Sequence, residues 1–176
     1  KTLTEQFATP YHGQVGKATA ILRNQGCSGN IVDLYVLARD TGDTLAVASD
    51  ELKGDLSDYI EGQKMMTDLV CIRDGRIIST DVTLDIVADK FFRKLREELQ
   101  VRVLNRVSSF FSLNNWEFGK GLSAPDLVKA FSDMKEIKSV DITFTTDDPD
   151  NSGESVAASY AEIVRPDSVA VAFTFE

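Results

Sequence analysis

Cysteine and histidine are scarce in this sequence: Cys27, Cys71 and His12 are the only ones. The cysteines have no CxxC spacing and no histidine cluster beside them, so neither a disulfide scaffold nor a zinc site is suggested, and a reducing compartment is the default. Phosphate-cradling glycine patterns are missing too, since neither GxxxxGK[ST] nor GxGxxG occurs. No apolar run approaches the ~20 residues that a bilayer core requires. No basic-then-apolar leader opens the chain either, so a soluble protein without membrane insertion is expected. Basic residues are outnumbered: 19 Lys and Arg against 28 Asp and Glu give a net charge of −9. A mean field of that sign repels phosphate backbones. No nucleic-acid partner and no cofactor are expected.

What is present is ordinary globular composition, 43% hydrophobic and 27% charged over 176 residues, enough for one core or two small ones. The chain opens on Lys1 rather than Met and is read as a piece of a longer polypeptide. Residues 1–16 are polar, with Pro10, Gly13 and Gly16, and are expected to be a flexible leading segment. Lys17–Arg23 and Ile31–Ala38 read as strands joined by the Gly- and Asn-rich stretch Asn24–Asn30. The second strand is apolar on both faces except at Asp33, as expected of a central buried strand. After a Thr41-Gly42-Asp43 turn, Ser49 is a natural N-cap. Leu52, Leu56, Tyr59 and Ile60 then recur at helical spacing. Leu69–Ile72 follows as a short strand with Cys71 as a small core residue.

Beyond the Arg73–Arg76 turn, Val82, Leu84, Ile86 and Ala88 alternate with Asp81, Thr83, Asp85 and Val87, a period of two. The period then changes. Phe92, Leu95, Leu99, Val103, Val107 and Phe110 predict a helix from Asp89 to Leu113, roughly 35 Å long and more than a small sheet needs to cover. Ser123-Ala124-Pro125-Asp126 reads as a capping box before a second helix through Met134. Val140–Thr145 and Val169–Phe175 are strands, and the acidic stretch Asp147–Ser159 between them is expected to be mobile. The fold class is therefore α+β: two small domains, residues 17–75 and 76–176, each a mixed or antiparallel sheet with helices on one face.

Catalytic readings are thin. His12 lacks an evident orienting partner and reads as a surface residue. No GxSxG elbow accompanies any serine. Asp81 and Asp85 could be a glycosidase pair, but a solvated sheet face produces the same pattern. Glu117, between Trp116 and Phe118, is a candidate acid of a glycan hydrolase if those rings desolvate it. The plainer reading has both rings anchoring the loop while Glu117 faces solvent. Asp148–Gly153 imitates the first half of a calcium loop, yet its twelfth position is Ser159 rather than Glu, so a calcium-linked binding module is a further alternative.

Several stretches, in order, resemble the C-terminal half of the baseplate J-like proteins of phages with contractile tails. Gly29 to Leu37 is similar to that family's glycine turn and strand ending in Tyr-Val. Met66-Thr67-Asp68-Leu69-Val70 and then Ile77 to Val87 resemble its threonine-aspartate lead into a strand, a linker and a new extended segment. Trp116-Glu117-Phe118-Gly119-Lys120-Gly121-Leu122-Ser123, followed by Asp126-Leu127-Val128 and Ile137-Lys138-Ser139-Val140, is similar to its aromatic loop, short helix and strand. Glu162-Ile163-Val164 through Phe175 resembles its closing strand. Met65-Met66 departs from the usual Arg-Pro-like lead, and the acidic insertion is longer. The resemblance implies a non-enzymatic wedge component. Such a component is a homo-oligomer, taken as a dimer, that assembles with other baseplate wedge proteins into the ring around the tail hub. It would be put together in the bacterial host cytoplasm and reside in the virion tail baseplate. No metal or catalytic residue is assigned. The expected contact surface is the surplus of the long helix and the loop after it, through Arg96, Arg102, Arg106, Asn114, Trp116 and Phe118.

Overall fold

The computed structural model describes residues 2–24, 30–40, 44–65 and 67–176. The expected Asn24–Asn30 connection, with Cys27, lies largely outside the described residues, and the Thr41–Asp43 turn and Met66 lie outside them entirely. The architecture is α+β. The chain divides into two compact units, Lys1–Ile77 with Tyr160–Glu162, and Ile78–Ser159 with Ile163–Glu176.

The first unit is built on a mixed sheet. In chain order come α1 (Thr2–Glu5), β1 (Ala8–Thr9), β2 (Gly13–Asn24), β3 (Asn30–Arg39), β4 (Leu45–Ala46), α2 (Asp50–Glu61) and β5 (Asp68–Asp74). Strand β3 pairs antiparallel with β2 and β4 and parallel with β5, which makes it the central strand its apolar sequence predicted. Residues 2–16, expected as a flexible leader, instead carry α1 and β1. Thr4 is buried, and Phe7 packs on the core. The Phe7 carbonyl accepts from the Val15 N–H at 3.0 Å, and the Phe7 ring lies 5.0 Å from that of Tyr59, so local polarity was outweighed by one aromatic anchor.

Helix α2 begins where Ser49 accepts a hydrogen bond from the Leu52 N–H at 3.2 Å, with Asp50 and Glu51 in its first turn. Its Leu52 and Leu56 pack with Val15, Ala18, Leu34, Val36 and Ala48 on one face of the sheet. Gly16 sits at the register shift between Val15 and Lys17. A Cβ there would come within 3.0 Å of the Arg39 backbone nitrogen and 2.6 Å of the Leu45 side-chain end, so the close passage of β2 against β3 at the bulge favours glycine.

The second unit is built on β6 (Arg76–Ala88), a 3-10 turn (Lys90–Leu95), α3 (Arg96–Phe110), β7 (Leu122–Ser123), α4 (Ala124–Lys129), β8 (Ile137–Thr146), β9 (Ser155–Val156) and β10 (Glu162–Phe175), with Arg76, Ile77 and Glu162 at the strand starts belonging to the first unit. Strand β6 lies between β10 and β8 and pairs antiparallel with β8. Val82, Leu84, Ile86 and Ala88 are buried while Asp81, Thr83 and Asp85 are exposed, the predicted period of two. Leu99, Val103 and Val107 are the buried stripe of α3.

The long helix expected over Asp89–Leu113 is shorter. Asp89 accepts from the Phe91 N–H and starts a 3-10 turn, and the α-helix proper covers 15 residues, about 22 Å. The second helix stops at Lys129 and continues as turns to Met134. The acidic stretch Asp147–Ser159, expected as mobile, is tied down. The Asn151 amide bonds both the N–H and the carbonyl of Ala157, at 2.7 and 3.0 Å. Val156 is buried, and β9 pairs with β7. Gly153 exchanges two backbone hydrogen bonds with Phe144 at a φ of 125°, a conformation open to glycine alone without strain.

One buried hydroxyl departs from this satisfaction of polar groups. Thr80 is fully buried, and its Oγ1 has no hydrogen-bond partner among the described residues. Removing such an atom while keeping the side-chain shape relieves a desolvation cost. Thr80→Val is therefore expected to stabilise the protein by about 1 kcal/mol, read as a higher midpoint in urea unfolding. A lower midpoint would show that the hydroxyl is bonded.

Candidate functional site

The surface expected to make subunit contacts surrounds α3 and the loop after it. Arg96 is exposed at the start of the helix, and Asn114 and Glu117 are exposed in the loop. The helix turns Leu99, Val103 and Val107 inward, so Arg102 and Arg106 project outward, where each meets a carboxylate from the segment before β8. Arg102 donates to Glu136 at 2.7 Å and Arg106 donates to Asp133. The Arg102 guanidinium, with a backbone N–H, holds the Glu136 carboxyl below its ordinary range, while Glu136 raises Arg102 in turn. Both arginines are about half exposed, at 48%, so these ion pairs fix the helix more than they stabilise it.

Trp116 is a correction. Expected on the contact surface and also as an anchor of its loop, it is 1% exposed, so it is the anchor and leaves the contact surface. Its indole stacks on Phe111 with centroids 5.6 Å apart and 12° between planes, and meets Phe110 edge-on at 5.8 Å. Its Nε1–H donates to the Phe110 carbonyl at 3.1 Å. The Lys120 ammonium lies 4.7 Å from the ring centre and donates to the Asn115 carbonyl at 2.8 Å. An indole with its polar edge satisfied is a core residue. Phe118 is half-buried, so the rings anchor the loop and leave Glu117 at the surface between them.

Other sequence candidates fall into place around this. Beside Trp116 a cleft of about 350 Å³ includes Lys120, Ser123 and Asp126. The capping box is altered, because the Ser123 hydroxyl donates to the Asp126 carboxylate at 2.7 Å instead of accepting from the helix. Lys129 and then Ser123 hold the Asp126 carboxyl below its ordinary range. In the calcium-like stretch, Asp148 accepts from the Asp150 N–H, and Asn151 and Ser152 bond neighbouring backbone, so those oxygens serve the turn itself. Among the described residues no group of three or more His, Cys, Asp or Glu could hold a metal ion.

His12 does have an orienting partner that the sequence could not reveal: its Nδ1 lies 2.6 Å from Asp55 Oδ2, 43 residues away. Both side chains are 39% exposed. Asp81 and Asp85 are four residues apart on a strand, about 13 Å, beyond the roughly 5–9.5 Å of a glycosidase pair. The register instead sets Asp85 directly opposite Asp141 on an exposed sheet face.

The most concentrated charge cluster in the first unit centres on Asp33, which is 5% exposed. Arg23 grips it through Nε and a terminal nitrogen, and the Arg73 Nε donates to it at 3.0 Å. Burial raises the Asp33 pKa, but the two arginines outweigh it and hold the carboxyl below its ordinary range. The signal was available: a lone carboxylate on an apolar strand must find a cation if it is buried. Which cation depended on the pairing of β2 and β5 with β3. Cys71 stands opposite Asp33 on this face and is half-buried, so it is not in the core under α2 as expected.

No protein-family model and no curated protein matches the chain. Among solved structures it is similar to a chain of the anti-feeding prophage (AFP) baseplate determined by cryo-EM. The TM-score is 0.47 and the identity 12%, over 77% of this chain and 29% of that one. At that degree of similarity the likeness carries no weight for fold or role.

Two expectations follow from the geometry. Trp116→Ala should cost about 3–5 kcal/mol of stability in urea unfolding, and the native emission of this sole tryptophan should be blue-shifted. Native emission at the wavelength of the unfolded chain would contradict its burial. Because the Asp33 pKa is depressed on folding, its contribution is present above the unfolded value of about 3.9 and lost as pH falls through the folded value. Asp33→Asn should therefore melt below the wild type at neutral pH, with the gap closing in acid. A gap independent of pH would refute the assignment.

Proposed function

We propose that the chain is a structural subunit of a phage-type contractile-tail baseplate. It would be a wedge component that assembles with copies of itself and with neighbouring wedge proteins into the ring around the hub, without catalysing a reaction. The ordered resemblance running from Gly29 to Phe175 carries this reading, centred on the loop Trp116–Ser123. The structural role of that loop supports it: its tryptophan is a buried anchor and its glutamate is exposed. The way charged side chains are used also fits, since Arg102, Arg106, Asp126 and Glu136 are engaged in ion pairs within the unit.

The helix–loop surface keeps its place in this proposal, with Trp116 removed from it. Arg96, Arg102, Arg106 and Asn114 remain at the surface and Phe118 is half-buried. The outward side of α3 adds Val101, 57% exposed. An exposed apolar residue on the far side of a helix from its core stripe is what a partner surface would cover.

Light scattering across a concentration series is the test. Mass rising from monomer toward discrete oligomers is expected. A monomer at every concentration would overturn self-assembly.

A further inference from the structure

In each unit, among the described residues, one side of the main sheet carries exposed side chains; in the first unit Tyr160 packs on Tyr35 at 5.7 Å and Leu37 is buried on that side, so its exposed part is the end around Arg23, Arg73 and Leu69. In the first unit, the core of α2 lies on the side of Leu34 and Val36. The pairing registers put Ile21, Asp33 and Cys71 in one row of the other side, and Arg23, Ile31 and Leu69 in the next. Arg73 joins them through its bond to Asp33. Two guanidiniums on one carboxylate leave a local surplus of positive charge in a chain whose net charge is −9. Arg23 and Arg73 are 43% and 50% exposed, and Leu69 is 54% exposed. The face is bulky, apolar and positive.

The open face in the second unit has the opposite character. Asp85 and Asp141 stand directly opposite each other, with Thr83 opposite Thr143 beside them. Like charges in that position cost stability when nothing opposes them. The Ser168 hydroxyl donates to Asp81, which brings the β10 side chains at Ser168, Ala170 and Ala172 to the same exposed face. This face is flat, small-residued and negative.

We propose that these two faces mate between copies, the Arg23–Asp33–Arg73 face of one docking on the Asp85–Asp141 face of the next. The inference rests on the self-assembly reading above and names its surfaces. The surplus positive charge of the Arg23–Asp33–Arg73 cluster meets two adjacent carboxylates, which offsets the repulsion between Asp85 and Asp141. Large side chains around Arg23, Arg73 and Leu69 meet small ones at Thr83, Thr143 and Ala170. Because the two patches differ, the contact is head-to-tail and propagates, closing into a ring if the rotation between copies permits.

Sedimentation velocity on the whole chain tests it. Asp85→Lys with Asp141→Lys alters exposed positions only, and should weaken self-association by about tenfold or more without lowering the melting temperature. Arg73→Glu should weaken it likewise. An equimolar mixture of the two variants should associate, because each then offers the other a complementary face. Undiminished association of the aspartate variant would overturn these faces while leaving self-assembly standing, even if Arg73→Glu did not fold. A wild type that stayed monomeric would overturn both.

Discussion

A strand sends its side chains alternately to two faces, and a helix can dry only one of them. That constraint governs both units. Where α2 supplies a cover, β2, β3 and β5 bury aliphatic residues beneath it. Where α3 and α4 supply one, β6 and β8 bury Val82, Leu84, Ile86, Ile142 and Phe144. The opposite faces must then be stable in water or be covered by something else. The second unit makes its open face polar with Asp and Thr. The first unit covers part of it, where Leu37 is buried and Tyr160 packs on Tyr35, and around a charge cluster on the rest it keeps Ile21, Ile31 and Leu69.

That cluster is the costlier solution. Asp33 gives up water, and two arginines from neighbouring strands compensate. The same two contacts join β2 and β5 to the central strand by side chains as well as by the backbone ladder, and they set the sign of the open face. The loop carrying Trp116 is a different case. Its aromatic rings and one indole hydrogen bond turn a glycine-containing connection into part of the core, with Gly119 at a φ of 74° allowing the chain to turn.

Much of the fold was legible because it follows from local periodicity. The central apolar strand around Leu34, the Ser49-capped helix, the alternation along β6 and the strands around Phe144 and Phe173 were all expected where they occur. Long helices were less so. Apolar spacing continued from Phe92 to Phe110, but Asp89 captured the Phe91 N–H and set a 3-10 turn first, shortening α3. The acidic stretch after Thr146 looked mobile by composition, yet one asparagine and one buried valine hold it in place.

The sequence by itself determined the secondary-structure periods, the acidic balance and the lack of nucleotide- and metal-binding motifs, because these depend on residue type and short spacing. The tertiary structure decided which residues meet. It joined His12 to Asp55, Arg23 and Arg73 to Asp33, and Asp85 to Asp141, and it chose the anchoring reading of Trp116 over the contact one. These partnerships depend on strand register and chain crossing. Shifting a strand by one residue would exchange its buried and exposed faces, and spacing along a single chain does not record which register a distant neighbour adopts.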